Sequence, residues 1–406
     1  MSEPKVRFKR NNGSYYPTWT VYSVSDLFEK INEKNKNCEN ENVITNSAEF
    51  GLIPQRDYFD KDIAVEGKTE NYTIIRKGDF VYNPRKSSSA PMGPFNCYQL
   101  DKEGIVSPLY SCLRPKGVLD PEFLLWYFQT DKWYEYVNDH GAQNGARHDR
   151  VGMTDKILMG IPVIAPCSEE QKKIASFLSF VGAIIAASEE EVANLETQKK
   201  AVMKKIFSQE VRFKRDDGSD FPDWEETTIG AIGDVITGST PSTKDEENYG
   251  HDYCFCAPGD LGNGKYVVNT EKKVSEKGFK SGRAVPRGSV LATCIGSTIG
   301  KMGMAGCDMI TNQQINSVIV KEDDSEYVYY AIGYCFPQYL SSVGKQAVPI
   351  LSKSEFSKKS FPLPCLEEQR LIADFLSDFD EAIASAKKEL ELWKELKKGL
   401  LQQMFV

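Results

Sequence analysis

The sequence predicts an α+β protein. Two α/β domains in a pseudo-twofold arrangement are joined by two long helices that form an antiparallel coiled coil. Three observations lead to this fold class. Two stretches of the 406-residue chain carry the same heptad pattern, the segments around them are duplicated as well, and the parts follow one another as domain, helix, domain, helix.

The two predicted helices cover residues 174–206 and 372–404. In both, the a/d pattern of a coiled coil recurs after four and three residues in turn. Both also place a lysine, Lys199 or Lys397, at the same position. Runs of this length exceed the usual globular helix, so we expect the two to pair. The predicted seam residues are Ile174, Leu178, Val181, Ile185, Val192, Leu195, Ile372, Leu376, Phe379, Ile383, Leu390 and Trp393. The alternative is that each helix packs only on its own domain.

The duplication extends beyond the helices. Residues 6–19 (VRFKRNNGSYYPTW) return as residues 211–224 (VRFKRDDGSDFPDW), and the entry to the first helix at 161–178 returns at 360–376. The offset between the copies changes along the chain, which indicates insertions in loops of a retained framework. The predicted parts are a first domain with its N-terminal leader at 1–165, a central helix at 166–208, a second domain at 209–363 and a C-terminal helix at 364–406.

This order of parts has a geometric consequence. If the helices pair antiparallel, Val406 returns beside the first domain. The leader at 6–19 should then follow the second helix in space, as the leader at 211–224 follows the first helix along the chain. Two similar domains at a fixed separation suit a target that has two parts.

Composition places the chain among soluble globular proteins, with 40% hydrophobic residues and a net charge of −8. The acidic balance alone counts against nucleic acid, but acidic residues can lie on the helices while basic residues cluster elsewhere. Ten cysteines occur without a CxxC pair, which favours free thiols. No apolar run approaches the ~18 residues of a membrane span. We therefore expect a cytoplasmic protein.

The sequence contains no set of residues with the spacing of an enzyme active site. Residues 296–302 (GSTIGKM) resemble a phosphate-binding loop, but the loop is one residue short and ends in Met where Ser or Thr would hold magnesium. The three histidines lack metal-ligand spacing. The pairs Glu169–Glu170 and Glu367–Glu368 lie at helix starts, where the helix dipole favours acid, so we interpret them as capping residues. We predict no catalytic residues and no metal site.

Side chains suited to DNA occur in loops of both copies. Arg reads guanine and Gln or Asn reads adenine through paired hydrogen bonds, while Lys contacts phosphates. The candidate DNA-binding residues are Arg85, Lys86, Gln143, Asn144, Arg147, His148, Arg150, Lys301, Gln313, Gln314, Asn316, Lys345 and Gln346. For each residue alone, a solvated surface side chain is the alternative.

The whole chain resembles the DNA-specificity subunits of type I restriction–modification systems. The run Gly238–Pro241 and the closing segment LKKGLLQQMF at 396–405 contribute to the resemblance. Its main basis is the duplicated helix entry P-x-x-x-EQ-x-x-I-x-x-FL, formed by Pro166, Glu170, Gln171, Ile174, Phe177 and Leu178, and by Pro364, Glu368, Gln369, Ile372, Phe375 and Leu376.

The resemblance implies a function for each part. Each domain would be a target-recognition domain that reads one half of a bipartite, asymmetric site in double-stranded DNA. The helices would set the spacer and dock two methyltransferase subunits, with motor–nuclease restriction subunits joining for cleavage. The complex would direct adenine methylation and restriction. S-adenosylmethionine, ATP and magnesium would belong to those partners, and this chain would hold no cofactor and catalyse no reaction.

Two other functions remain open at this point. The chain could be a homodimeric scaffold whose helices pair between two copies and whose domains bind protein. It could also be a methyltransferase or nuclease that acts alone, although the missing motifs argue against this.

Overall fold

The computed structural model describes residues 3–58, 69–141, 149–262, 264–341 and 349–406. The chain divides into two compact units. Unit 1 consists of Met1–Ala187 and Glu391–Val406, and unit 2 consists of Ser188–Leu390. Each unit therefore contains a stretch of both long helices. The predicted boundaries of the four sequence segments stay a prediction.

The described part of the first domain is built from short strands and helices, followed by the first long helix, α6. In chain order they are β1 (Thr20–Ser23), α1 (Val24–Leu27), β2 (Phe28–Lys30), β3 (Ile44–Ser47), β4 (Gly51–Pro54), α2 (Gln55–Tyr58), β5 (Thr73–Ile75), β6 (Phe80–Tyr82), β7 (Phe95–Cys97), β8 (Gly104–Val106), β9 (Ser111–Pro115), α3 (Pro121–Phe128), α4 (Tyr134–His140), α5 (Asp155–Gly160), β10 (Pro162–Ala165) and α6 (Ser168–Phe207).

The described part of the second domain has more strands and ends in the second long helix, α11. Its elements are β11 (Glu225–Thr228), α7 (Ile229–Ile232), β12 (Gly233–Thr237), β13 (Tyr249–Cys256), β14 (Tyr266–Val267), β15 (Lys272–Val274), α8 (Glu276–Ser281), β16 (Ala284–Val285), β17 (Val290–Thr293), β18 (Met302–Ala305), β19 (Met309–Thr311), β20 (Ile315–Val320), α9 (Ser325–Ser341), α10 (Lys353–Ser357), β21 (Ser360–Leu363) and α11 (Leu366–Met404).

Both domains combine small sheets with the helices that cover them. The first domain has an antiparallel sheet in the order β2-β9-β6-β7, with the pairs β3-β4 and β5-β8 beside it. The second domain has a five-stranded sheet, β12-β20-β17-β18-β14, and a four-stranded sheet, β15-β13-β19-β16. Aromatic residues of α3 and α9, such as Phe123 and Tyr327, are fully buried in the two main cores.

A pair of strands closes each domain and positions its long helix. In the first domain β1 pairs antiparallel with β10, and in the second β11 pairs antiparallel with β21. The first and last strands of each domain are therefore neighbours. The long helices begin three residues later, at Ser168 and Leu366.

The two long helices run in opposite directions, and this follows within each unit separately. In unit 1 the start of α6 (Ile174) and the end of α11 (Met404) lie in one core, together with Phe405 just after α11. In unit 2 the end of α6 (Ile206) and the start of α11 (Ile372) lie in another. The predicted antiparallel packing of the long helices is confirmed, and the alternative that each helix packs only on its own domain is wrong.

The twelve predicted seam residues are all at least half-buried, as a packed seam requires. Seven are buried, namely Ile174, Leu178, Val181, Ile185, Ile372, Leu376 and Ile383; Leu390 is also buried at 9% exposure, and Val192, Leu195, Phe379 and Trp393 are half-buried. The residues nearest each helix start enter the domain cores. The seam therefore continues into the cores of the domains.

The N-terminal leader lies where the duplication predicts. The backbone N–H of Val6 donates to the carbonyl of Gln403 at the end of α11 (3.0 Å). In the other copy, the N–H of Val211 donates to the carbonyl of Lys205 at the end of α6 (3.2 Å). Each leader thus extends from the end of a long helix, although only one of them is connected to that helix by the chain.

All four paired glutamates lie in the first turn of a long helix, as predicted, and one member of each pair is also a buried ion-pair partner. Glu170 and Glu368 are fully buried, while Glu169 and Glu367 are exposed in the first helical turn. A buried carboxylate needs a charged partner because burial removes its hydration. Glu170 receives two hydrogen bonds from the Arg7 guanidinium (3.1 and 2.8 Å), and Glu368 receives the equivalent pair from Arg212 (3.3 and 2.8 Å).

Candidate DNA interface

Polar contacts tie a domain helix to a long helix in the same way in both units. The side-chain oxygen of Gln171 accepts from the backbone N–H of Asp120 before α3 (2.8 Å), and that of Gln369 accepts from Asp324 before α9 (2.9 Å). Each amide nitrogen also donates to the carbonyl of the proline that precedes the long helix (2.7 and 2.9 Å). These bonds explain why Pro and Gln recur together in the duplicated helix entry.

The lysine shared by both seams is a second common anchor. Lys199 Nζ lies 4.8 Å from the ring centroid of Tyr330 in α9, and Lys397 Nζ lies 4.8 Å from the ring of Trp126 in α3. Both distances are in the range of cation–π attraction. Lys199 also pairs with Asp380 Oδ1 at 2.5 Å. The lysine in each seam therefore contacts the domain helix, α9 or α3, that packs on that part of the long helix.

A cavity of about 740 Å³ lies beside this anchor in unit 2, and several of the polar side chains that line it pair with one another. Lys265 donates to Ser377 (2.7 Å) and to Glu326, which also accepts from the hydroxyl of Tyr266. Burial alone raises the pKa of Glu326. Hydrogen bonds to its carboxylate from Lys265, Tyr266 and Ser377 outweigh this effect and lower the pKa below its ordinary value. Glu326 is thus ionised at neutral pH and serves as an ion-pair partner.

Two predicted loops of unit 1 meet at one place. Arg85 and Arg150 form an antiparallel backbone bridge, and the N–H of Lys86 donates to the carbonyl of Asp149 (2.9 Å). Arg85 and Lys86 are exposed, and Arg150 is half-buried. The structure therefore brings three predicted cations, which are far apart in sequence, onto one surface.

A buried amide network fixes this loop from below. Asn46, 4% exposed, accepts from Asn96 Nδ2 through its side chain (2.7 Å) and from Asn83 Nδ2 through its backbone carbonyl (3.1 Å). Asn83 in turn accepts from the N–H of Arg85 (3.0 Å). Gly93 closes the loop at φ +80°, where a Cβ would lie 2.1 Å from the Asn83 carbonyl, so only glycine fits. Sequence reasoning missed Asn46 because its partners are distant in the chain.

In unit 2 the predicted residues have different environments. Lys301 is exposed just before β18. Gln313 and Gln314 form the turn between β19 and β20, where Gln313 is exposed and Gln314 is half-buried, with its Nε2 3.4 Å from the carbonyl of Ile295.

Asn316 lies inside the five-stranded sheet and is 3% exposed. Its Oδ1 accepts from the hydroxyl of Thr237 on the neighbouring strand (2.7 Å). A side chain engaged in the sheet in this way cannot reach a base edge without breaking the strand pairing. This burial argues against Asn316 as a DNA contact.

Six of the predicted DNA-binding residues fall outside the described parts of the chain, and their contacts with DNA stay predictions. They are Gln143, Asn144, Arg147, His148, Lys345 and Gln346.

The structure adds residues next to Gln313 that sequence reasoning did not assign. The segment after β12 packs on the β19–β20 turn, and Gly238 approaches so closely that a Cβ would lie 2.2 Å from the carbonyl of Thr311. This approach places the hydroxyl of Thr240 2.5 Å from Gln313 Oε1. Arg283 is exposed nearby, with its guanidinium donating to the carbonyl of Thr237 (3.0 Å). The available signal was the Gly238–Pro241 run.

The described residues contain neither a candidate metal-binding cluster nor a candidate membrane-spanning helix. No group of three or more His, Cys, Asp or Glu side chains there could hold a metal ion. Among the helices in the same residues, none is both long and apolar enough to cross a membrane.

Comparison with known families accounts for the duplication. Residues 16–197 and 222–392 each match the family described as the type I restriction modification DNA specificity domain. The chain belongs to this family. The two matches correspond to the two sequence repeats, and each includes one domain together with most of the long helix that follows it.

Relatives in this family are similar to parts of the chain. The type I restriction enzyme MjaIX specificity subunit of Methanocaldococcus jannaschii is 35% identical over 208 residues, which are 49% of this chain and 48% of that protein. The putative MjaX specificity subunit of the same organism is 26% identical over 306 residues, 71% of this chain and 68% of that protein. The chain thus spans about half the length of the first of these relatives.

A solved structure of this family has the same fold. The crystal structure of the type I restriction-modification system S subunit from M. genitalium superposes with a TM-score of 0.57 at 15% sequence identity, and the match covers 100% of this chain and 99% of that one. At this level of identity the similarity concerns the fold alone.

Proposed function

We propose that this chain is the sequence-specific DNA-binding subunit of a type I restriction–modification complex. In this proposal each domain reads one half of a bipartite site. The observation that carries it is the double match to the DNA specificity domain, on a chain whose two matched parts are joined by antiparallel helices. One DNA-reading domain suits one short sequence, and two domains that differ in sequence suit two different half-sites.

The exposed side chains of the candidate interface support DNA as the ligand. Arg85 and Lys86 in unit 1, and Lys301 and Arg283 in unit 2, present cations to solvent. Cations at a protein surface attract phosphates, and exposed Arg and Gln side chains can read base edges. The net charge of −8 does not by itself oppose this, because part of the acidic charge lies on the long helices, for example the three glutamates at 189–191 in α6.

The same proposal assigns a separate role to each kind of subunit in the complex. This chain would select the site and contribute no catalytic group. Methyltransferase subunits would hold S-adenosylmethionine, and restriction subunits would hold ATP and magnesium. Cytoplasmic DNA would be the target. The Glu326 carboxylate, which is ionised and paired, supports a structural role for the cavity beside Lys199 in unit 2.

A duplicated aromatic contact is suited to docking two methyltransferase subunits. Phe177 of α6 is 37% exposed and packs edge-on against Phe8 of the leader, with ring centroids 5.8 Å apart. Phe375 of α11 is also 37% exposed and packs against Phe213 in the same way, at 5.7 Å. Exposed aromatic pairs are typical anchors of protein interfaces. Because the surface occurs twice, it fits a partner that binds in two copies.

Single and double variants of this surface should give different stoichiometries. We expect Phe177→Ala or Phe375→Ala to lower the affinity of one methyltransferase site about 30-fold, the effect of losing an aromatic hot spot. Native mass spectrometry of the co-purified complex should then show one bound methyltransferase in either single variant and none in the double variant. Leu109→Ala, which removes another exposed apolar side chain (56% exposed), is the control and should retain two. Two bound subunits in the double variant would contradict this docking surface.

DNA binding by the full chain should depend steeply on salt. Phosphate contacts release counterions, and each contact contributes about 0.9 to the slope of log Kobs against log salt. The double variant Arg85→Ala, Lys86→Ala should therefore reduce this slope by up to about 2. Lys102→Ala is the control. Lys102 is an exposed lysine that comes after β7, whereas the loop with Arg85 and Lys86 comes before that strand. A slope near zero for the unaltered chain would contradict the proposed function.

A further inference from the structure

The turn between β19 and β20 carries a chain of hydrogen bonds whose direction can be deduced. The backbone N–H of Gln314 donates to Asn312 Oδ1 (2.9 Å). This bond identifies the oxygen of the Asn312 amide, so the atom that faces Thr240 is the nitrogen Nδ2, 3.5 Å from Thr240 Oγ1. An amide nitrogen can only donate. The Thr240 hydroxyl therefore accepts from Asn312 and directs its own proton elsewhere.

The proton of Thr240 goes to Gln313, the exposed residue at the tip of the turn. The two side chains are 2.5 Å apart, and the atom of Gln313 that receives this proton must be Oε1. The Nε2 amino group then lies on the side of the amide away from that bond. An isolated exposed glutamine could present either end, because its two ends are nearly isosteric. Here the relay from Asn312 through Thr240 selects one of them.

Backbone hydrogen bonds hold this turn in place, so the Gln313 amide keeps the orientation that the relay selects. The N–H of Asn312 donates to the carbonyl of Cys256 (2.8 Å), and its carbonyl accepts from the N–H of Ile315 (2.9 Å). On the other side, the N–H of Ser239 donates to the carbonyl of Thr311 (2.8 Å). Both partners of the Thr240–Gln313 bond are thus on anchored backbone, and Arg283 supplies a nearby positive charge for phosphate.

We propose that Gln313 reads a base edge of the second half-site by donating from Nε2 to a purine N7, and that Thr240 and Asn312 are positioning residues that fix the polarity of its amide. This inference rests on the proposed function and adds a specific reading group to it. In the major groove a purine N7 is an acceptor, whereas the exocyclic amines of adenine and cytosine are donors. An amide of fixed orientation distinguishes an acceptor from a donor on the base edge, whereas a freely rotating amide would bind either.

Selection of binding sites from random duplex DNA with the full-length chain tests the proposal. Gln313→Ala should lose about tenfold discrimination at one base pair of one half-site, with the other half-site unchanged. Thr240→Val, which removes only the hydroxyl, should weaken discrimination at that same base pair, and Thr240→Ser should restore it. Asn312→Asp keeps the bond to the Gln314 N–H, but its second carboxylate oxygen can only accept, so the Thr240 hydroxyl should donate to it. The Gln313 amide should then turn over, donate to Thr240 from Nε2 and present Oε1. This variant should favour a base edge that donates from an exocyclic amine.

Base analogues separate this reading mode from a general loss of affinity. Replacing the contacted purine by its 7-deaza form should weaken binding of the unaltered chain about tenfold and leave the Gln313→Ala variant unaffected. The proposal is overturned if Gln313→Ala changes no base preference, if Thr240→Val acts at a different base pair or at none, or if 7-deaza substitution weakens both proteins equally. If the unaltered chain selects no sequence at all, the proposed function itself has failed.

Discussion

Replacing Arg7 by alanine is expected to lower the free energy of unfolding by about 3–5 kcal/mol, the cost of leaving one member of a buried ion pair without its partner. Glu170 is fully buried, and the Arg7 side chain is only 5% exposed. The Arg7 guanidinium also donates to the carbonyls of Tyr16 and Pro17 (3.2 and 2.9 Å). The substitution therefore removes the ion pair between the leader and the start of α6.

The measurement is denaturant unfolding of the full chain, with Lys5→Ala as the control because Lys5 is an exposed cation of the same leader. Adding Glu170→Gln to Arg7→Ala should recover part of the loss, because a neutral amide costs less to bury than an unpaired carboxylate. Arg212→Ala should cost less, since Trp224 Nε1 still donates to Glu368 (2.9 Å). A loss below about 1 kcal/mol for Arg7→Ala, typical of a surface pair, would contradict this account.

Removing one heptad from both long helices is expected to shorten the preferred DNA spacer by up to about 3 base pairs. Seven helical residues span about 10 Å, and each base pair of B-DNA rises about 3.4 Å. In unit 2 the ion pairs Lys199–Asp380 and Glu196–Lys387 set the antiparallel register. Within unit 2 that register matches residues 192–198 with residues 383–389, which are the segments to delete.

The matched control replaces the same two segments by another heptad of equal length and pattern, which should leave the spacer unchanged. Deleting only one of the two segments should disturb the seam and lower stability, because the remaining knobs no longer meet their holes. Site selection from random DNA gives the spacer directly. If the doubly shortened chain binds its two half-sites at the original spacing, the helices do not set that distance.

The long helices and the duplication could be predicted because their signals are local and repetitive. A heptad pattern specifies which face of a helix is buried without reference to the rest of the fold. The same argument placed Lys199 and Lys397 at equivalent positions, although their aromatic partners Tyr330 and Trp126 emerge only from the structure. Local pattern thus identifies the helix face, and distant residues decide what it meets.

The contacts that shape the candidate interface depend on pairings across long stretches of chain. Glu170 was interpreted as a helix cap because its partner, Arg7, is 163 residues away. Asn46 supports the Arg85 loop from another strand. Asn316 has the residue type of a base reader but lies within a strand that is paired on both sides. Strand order is set by tertiary packing, and strands of three or four residues carry little periodic signal of their own.

Selection of binding sites from random duplex DNA by the unaltered full-length chain tests the central claim most directly. The account predicts two unlike short sequences separated by one fixed length of unread DNA, because two different domains are joined by one pair of antiparallel helices. Selection of a single continuous sequence, or of two half-sites at freely variable separation, would contradict it.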